Sequence, residues 1–471
     1  MRAWVKALAV AAFIGLPICA CAVGRGAVQS SMGVDVIVTA TPVYAPLAAL
    51  AGGERFPKGA QLLLIHAGKA APLVTGFAAA ADANVSFDGE RVLFAGKQAA
   101  RDPWQIWELT LKDRSLRKIV GGDDDAIRPF YLPAGRLVYA RRRQHGFQLE
   151  AAGKDADDAF SPIEAQAGAT VLRLSYAPGS AIPDDVLLDG RILFEADFPL
   201  GAGTTPELFL VYSDGSGVES YRCDHGQARW GGKQLASGDV MFTHGSSLAR
   251  FTSPLAREAP LAAPRGEFAG SIAETADGAW LMSARSGAGA HYALKKWKPG
   301  TAAMETVLAV GGEDLVEPVV VAARPRPKRH PSGLHPWSYA NMMVLDARLS
   351  REGDLKTAPA QVRLETMDAN GKAIVTGTAP VEADGSFLVK TPADRPIRFA
   401  LLDANGAVMR EEHGWFWIRA GERRYCVGCH TGPERSPENR TPAVLLRTTT
   451  PVDLTGTRDP SLTQNAATRG N

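Results

Sequence analysis

The sequence predicts an all-β protein, a six-bladed β-propeller followed by a small β-sandwich, and three observations carry that expectation. Glycine at 48 and proline at 31 in 471 residues favour short strands joined by tight turns over long helices. A loop ending in glycine and running into an apolar strand recurs along the first two thirds of the chain. After Ser338 the pattern changes to alternating strands separated by Asp/Asn-Gly turns. With 45% hydrophobic and 22% charged residues the composition is that of a globular protein of two or three domains. Lys+Arg 52 against Asp+Glu 50 leaves a formal charge of +2, so composition points to no nucleic-acid partner and to no electrostatic hold on a membrane.

The elements follow in order. Residues 1–21 read as an export signal: Arg2 and Lys6 precede the apolar run Ala7 to Ile18, which is too short to span a bilayer comfortably. Ile18-Cys19-Ala20-Cys21 loosely resembles a bacterial lipobox with Cys21 as the lipidated residue, and ordinary signal-peptidase cleavage is the alternative. Both place the mature chain in the periplasm or anchored at the outer membrane. No later apolar stretch is long enough for a transmembrane segment.

The propeller is expected from 36 to 325. Its turns are Phe87-Asp88-Gly89, Pro133-Ala134-Gly135, Leu188-Asp189-Gly190, Ala236-Ser237-Gly238 and Ala276-Asp277-Gly278, each followed by an apolar strand such as Val92-Leu93-Phe94 or Ile192-Leu193-Phe194. The glycines lie about 40 to 55 residues apart, the length of a four-stranded blade. Gln105 to Leu111 alternates and turns at Arg114-Ser115 into Leu116 to Val120, and Glu207 to Tyr212 followed by Ser213-Asp214-Gly215 repeats that outer half. Gln61 to Ile65 and Ala71 to Val74 supply part of a first blade, with Pro318 to Ala322 as a closing strand. These repeats resemble the TolB-type propeller family, whose blades carry a similar S-x-D-G-x-x-x-x-F run, best kept here from Ser86 to Phe94. A series of plain β-sandwiches is the competing architecture.

Residues 326–337 extend a basic stretch broken by prolines, Arg324-Pro325-Arg326-Pro327-Lys328-Arg329-His330-Pro331, which reads as an extended linker; a phosphate or anionic-lipid site is the sharper alternative. The sandwich is expected over 338–420, from Met342 to Leu349, Gln361 to Met367, Ser386 to Val389 and Ile397 to Leu402.

The cysteines then decide the chemistry. Setting aside Cys19 and Cys21, the chain keeps Cys223, Cys426 and Cys429, an odd number for an oxidising compartment. Cys426-Val427-Gly428-Cys429-His430 accounts for two of them, since a C-x-x-C-H run lets two thiols form thioethers to haem while the adjacent imidazole ligates iron. Residues 421–436 are therefore the C-terminal c-type haem-binding segment, with one covalent haem c held by Cys426 and Cys429 and His430 as axial ligand. A zinc site needs four ligands and a redox dithiol needs a thioredoxin-like setting; neither is as well supplied.

The propeller, Val381 to Phe387, Pro392 to Pro396, Leu402 to Gly406 and then Gly421 to His430 together resemble the hydrazine synthase alpha-subunit family, most specifically from about residue 375 to 435. The resemblance implies an N-terminal propeller preceding a middle domain with a c-type haem. In that family the subunit continues into a domain with a second c-type haem, whereas this chain carries a single C-x-x-C-H. A complete hydrazine synthase is therefore not expected.

The sixth iron ligand must come from upstream, where Met409 and His413 approach the motif. Cys223-Asp224-His225 reads first as a loop with one buried thiol, and more sharply as a cap on the haem domain in which Cys223 or His225 reaches the haem pocket or a second metal such as zinc. Two functional classes follow, with a redox partner protein or a small-molecule substrate as partner. An open iron would act on a small redox substrate between propeller and haem domain. With a low-spin iron the protein would relay electrons or use the propeller as a docking platform for a partner in the cell envelope. Residues 437–471 read as an extended tail across the haem domain.

Overall fold

The computed structural model describes residues 33–133, 135–153, 171–197, 205–222, 226–429, 431, 435 and 438–456. The export signal with Cys21, the Cys223 to His225 tripeptide and His430 lie outside the described residues. Among those described, 32 strands and one short helix make an all-β chain.

From Asp35 to Val321 the strands form six four-stranded sheets. Five are built from consecutive strands, such as Ala181–Val186, Ile192–Ala196, Glu207–Val211 and Glu219–Ser220 in the fourth. The first is shared by both ends of the region: Asp314–Val321 pairs antiparallel with Asp35–Thr41, which pairs with Gln61–His66. The innermost strands touch one another in sequence, and Asp314–Val321 touches both Glu267–Glu274 and Ala79–Val85, so the ring closes. Ile192–Ala196, in the middle of the fourth sheet, is buried throughout because both its faces meet neighbouring sheets.

The innermost strands are irregular at one shared place. The register shifts between Ala81 and Asn84, Ile127 and Phe130, Pro183 and Asp185, Trp230 and Lys233, and Ala269 and Ala273. At these bulges Gly231 and Gly270 take positive φ, and so do Asp82, Arg128 and, at the matching bulge of Asp314–Val321 opposite Ile37 and Thr39, Glu317, which is uncommon for non-glycine residues. The bulges aim charged side chains at the axis. Arg128 donates to Glu317 Oε1 at 2.9 Å and Asp184 Oδ1 at 2.5 Å. Arg55 donates to Asp82 and Glu317, and Tyr44 Oη to Glu317 Oε1 at 3.0 Å. Burial raises Asp184 and Glu195 above the usual carboxylate range.

Residues 322–338 contain no helix or strand and lie across the blade turns as a strap. Arg324 N donates to Phe87 O and Lys328 N to Leu188 O, both at 2.9 Å. His330 bonds Asp189 O, and Ser332 Oγ donates to Asp214 at 2.8 Å. The strap explains why Gly190 must be glycine: its φ is +91°, and a Cβ there would meet Lys328 O at 2.2 Å.

The second module is a sandwich of two four-stranded sheets. One holds Ala373–Pro380, Gln361–Met367, Ile397–Leu402 and Val408–Glu411; the other holds Arg423–Cys426, Tyr339–Val344, Phe387–Pro392 and Val452–Asp453. Leu364, Val389, Ile397 and Ile418 fill the space between them. The segment after 420 is thus not an appendage. Arg423–Cys426 pairs in parallel with Tyr339–Val344, and the tail returns as the helix Ala443–Arg447 and the strand Val452–Asp453 against Phe387–Pro392.

Candidate functional site

The pattern of Arg423–Cys426 positions the first thiol. Side chains alternate along a strand, so Arg423 and Tyr425 face outward and are exposed, while Arg424 and Cys426 face inward. The following turn is pinned by the loop after Tyr339–Val344: Leu345 N donates to Cys426 O at 2.9 Å, Asp346 N to Val427 O at 3.1 Å, and Cys429 N to Leu349 O at 3.0 Å. Gly428 has no room for a side chain, since a Cβ would lie 2.9 Å from Asp346 O and 2.8 Å from Leu349 O. This close approach brings both sulfurs to one wall.

That wall belongs to a cavity of about 810 Å³ between propeller and sandwich. The sandwich side offers Cys426, Cys429, Met342, Val344, Phe387, Trp415 and Phe416; the propeller side offers Phe209, Tyr212 and Tyr221 of the fourth sheet and its loops. The volume falls within the range of small-molecule and cofactor sites, and the lining is largely apolar with a few charged groups. Both cysteines are free thiols. Burial pushes both thiols up, opposed at Cys426 by the Arg424 guanidinium beside it.

The two modules grip each other beside this cavity. Trp417, fully buried, enters the propeller core among Phe194, Phe209 and Val211. Arg419 donates to Arg173 O at 2.7 Å, Asp214 O at 2.9 Å and Asp394 Oδ1 at 2.8 Å. Glu422 accepts from Gly217 N at 3.2 Å and Arg419 N at 2.9 Å, and Arg424 donates to Val218 O. Burial raises the Glu422 carboxyl above its ordinary value.

The structure brings Cys426 and Cys429 together and leaves other sequence candidates apart. His413 is exposed, with Nε2 3.0 Å from Glu352 Oε1, and neither it nor Met409 lines the cavity. Residues flanking Cys223 to His225 do reach it: Arg222 donates to Pro254 O at 2.7 Å and Gly226 N to Glu207, and both Pro254 and Glu207 are in the cavity wall. Among the described residues no group of three or more His, Cys, Asp or Glu is placed to hold a metal ion. Sequence reasoning missed Glu422 and Arg424, although Arg424 stands two residues from Cys426 on a strand and so shares its face. It also missed the aromatic wall of Phe209, Tyr212 and Tyr221, which no local signal links to a motif two hundred residues away.

Residues 341–431 match the model of the hydrazine synthase alpha subunit middle domain. The chain resembles that subunit in fold over most of its length. It is similar to a chain of Kuenenia stuttgartiensis hydrazine synthase at TM-score 0.74 and 17% identity, covering 88% of this chain and 72% of that one. TolB from Acinetobacter baumannii is similar at TM-score 0.44 and 14% identity, over 63% of this chain and 67% of its own. No curated protein matches the chain. The middle-domain match contains both cysteines and the strand that presents them, so the cavity wall and the family resemblance coincide.

Proposed function

We propose that the chain is an exported mono-haem c-type cytochrome, redox-active on a small molecule in the cavity between propeller and middle domain. The observation that carries this reading is the placement of two unpaired thiols, Cys426 and Cys429, on one wall of a largely apolar cavity. The residues fit a haem c. The thiols are spaced in sequence for thioether bonds, His430 would follow as the iron ligand, and Arg423, Arg424 and Arg435 of the lining would supply cations for the haem's carboxylates. When bound, the haem supplies an iron that changes oxidation state and, if five-coordinate, holds a substrate.

The chain's own residues do the rest. Phe387, Phe399, Trp415 and Phe416 exclude water on the middle-domain side, which tunes the potential of an enclosed haem. Tyr212 and Tyr221 form the facing wall of the cavity, where they would bound a small substrate. Glu422 and Arg424 fix that wall to the strand of Cys426. Cys223 or His225 is proposed to reach the haem pocket or a second metal such as zinc; in support, the flanking Arg222 and Gly226 are bonded to Pro254 and Glu207 of the cavity wall. The lipobox-like run supports export, either with a lipid at Cys21 that anchors the protein at the outer membrane or with ordinary cleavage that releases it into the periplasm.

An absorption spectrum, oxidised and reduced, of protein matured with a cytochrome c assembly system tests the reading beside a Cys429→Ala control. Covalent haem with a high-spin spectrum is expected. A low-spin spectrum would favour electron transfer to a partner protein, and no covalent haem would overturn the proposal.

A further inference from the structure

The strap between the modules has a property that the whole-chain charge conceals. Residues 322–345 contain no Asp or Glu, whereas Arg324, Arg326, Lys328 and Arg329 crowd its first half. A net charge of +2 spread over the chain says nothing of how cations cluster on one face.

The structure fixes these cations in place. Backbone bonds at Arg324 and Lys328 hold the strap to two blade turns, and Pro325, Pro327 and Pro331 limit its backbone freedom. Arg324 is half-buried, its guanidinium 4.3 Å from the Phe87 ring. Arg326, Lys328 and Arg329 are exposed. Four acidic turn residues on the same face are already paired within their own blades, Asp88 with Arg91 at 3.4 Å, Asp189 with Arg191 at 2.8 Å, Asp239 with Arg250 at 2.9 Å and Asp277 with Lys296 at 2.9 Å, leaving Glu90 as an exposed carboxylate beside the first of them. Among the described residues, Arg326 and Lys328 enter no ion pair. A second hollow of about 500 Å³ lies between the strap and the blades, and three cations, Arg91, Arg326 and Arg329, line it against one carboxylate, Asp88.

We infer that this face docks on a bilayer containing anionic phospholipid. The strap offers several cations in one rigid row, which suits a surface of many phosphates better than a single anion, and the hollow beside Arg326 and Arg329 can admit a headgroup. Chain direction agrees. Gly33 and Val34 line the same opening at the propeller axis as Arg324, Pro325 and Pro327, so a lipid anchor at Cys21 would leave from the strap face. The inference concerns the propeller and does not rest on the haem.

The test is co-sedimentation of the full chain carrying Cys21→Ser, so that no acyl chain contributes, with phosphatidylcholine vesicles and with mixed phosphatidylcholine–phosphatidylglycerol vesicles. Binding to the mixed vesicles alone is expected. It should weaken about five-fold for each of Arg326→Gln and Lys328→Gln, the equivalent of about 1 kcal/mol per cation, and should fall with added salt. Both side chains are exposed, so unchanged thermal unfolding verifies the fold, and Lys372→Gln on a sandwich turn should leave binding unaltered. Equal binding to neutral vesicles, or equal binding by the double variant, would overturn the inference. So would calorimetric binding of inorganic phosphate without vesicle binding, which would reduce the face to a single-anion site.

Discussion

The indole Nε1 of Trp417 donates a hydrogen bond to the carbonyl of Gly215, 3.1 Å away, from the middle domain into a turn of the propeller's fourth sheet. Two residues later the Arg419 guanidinium reaches carbonyls of Arg173 and Asp214 and the carboxylate of Asp394. Propeller and middle domain therefore share a buried polar seam and not merely a linker.

Arg419→Ala should break that seam. It strands two carbonyls and a carboxylate in a site where the arginine is 1% exposed, a loss of about 3 kcal/mol. Calorimetry should show the single unfolding transition of the parent resolving into two, one per module.

The axial ion cluster makes stability depend on pH in the less usual direction. Burial raises Glu195 and Asp184, with each also raised by a neighbouring carboxylate. A group whose folded value lies above its unfolded one binds more protons when folded, so its contribution is full below about pH 4 and is lost as pH rises through the folded value. Glu195→Gln, which keeps an oxygen for Gly231 N, should therefore flatten the fall in Tm between acidic and alkaline buffers.

Asp384 has the opposite sense. Burial pushes its carboxyl up, but Ser386 Oγ, Ala443 N and Ser386 N donate to it and Arg440 lies beside it, and together they hold it at about 2. Its contribution is present above the ordinary aspartate value and is lost as pH falls toward 2. Asp384→Asn should cost about 1–2 kcal/mol and raise hydrogen exchange at Ala443 and Val444, where the tail docks.

Two blade-turn glycines separate backbone strain from contact. Gly238 has φ +92° with open space around it, whereas Gly190 has φ +91° with the strap overhead. Gly238→Ala should cost about 1–2 kcal/mol for the left-handed backbone alone. Gly190→Ala should cost more and should make the 324–330 strap susceptible to protease.

What could be read in the sequence was what local chemistry dictates. The Asp-Gly turns at 88–89, 189–190 and 277–278 are specified by neighbouring residues, and so is the C-x-x-C-H run with the tight turn at Gly428. Long-range constraints left no such trace. Asp82, Arg128 and Glu317 adopt left-handed backbone only because a closed ring turns them inward. Glu422 found Gly217 across two hundred residues of chain. The helix Ala443–Arg447 is too short to show a period, and it exists because Asp384 and Ser386 receive its first amides.

The pairing of Asp35–Thr41 with Asp314–Val321 fixes an order of assembly. The first strand of the propeller must keep one edge vacant until the last has been made, so the ring cannot lock before the chain has reached residue 321. The cavity wall made by Cys426 and Cys429 forms later still, from strands that follow the lock. Until then both sulfurs stand open to water; afterwards the fourth sheet roofs them. Any modification of those thiols thus has a deadline set by the docking of the sandwich on a sheet more than two hundred residues upstream.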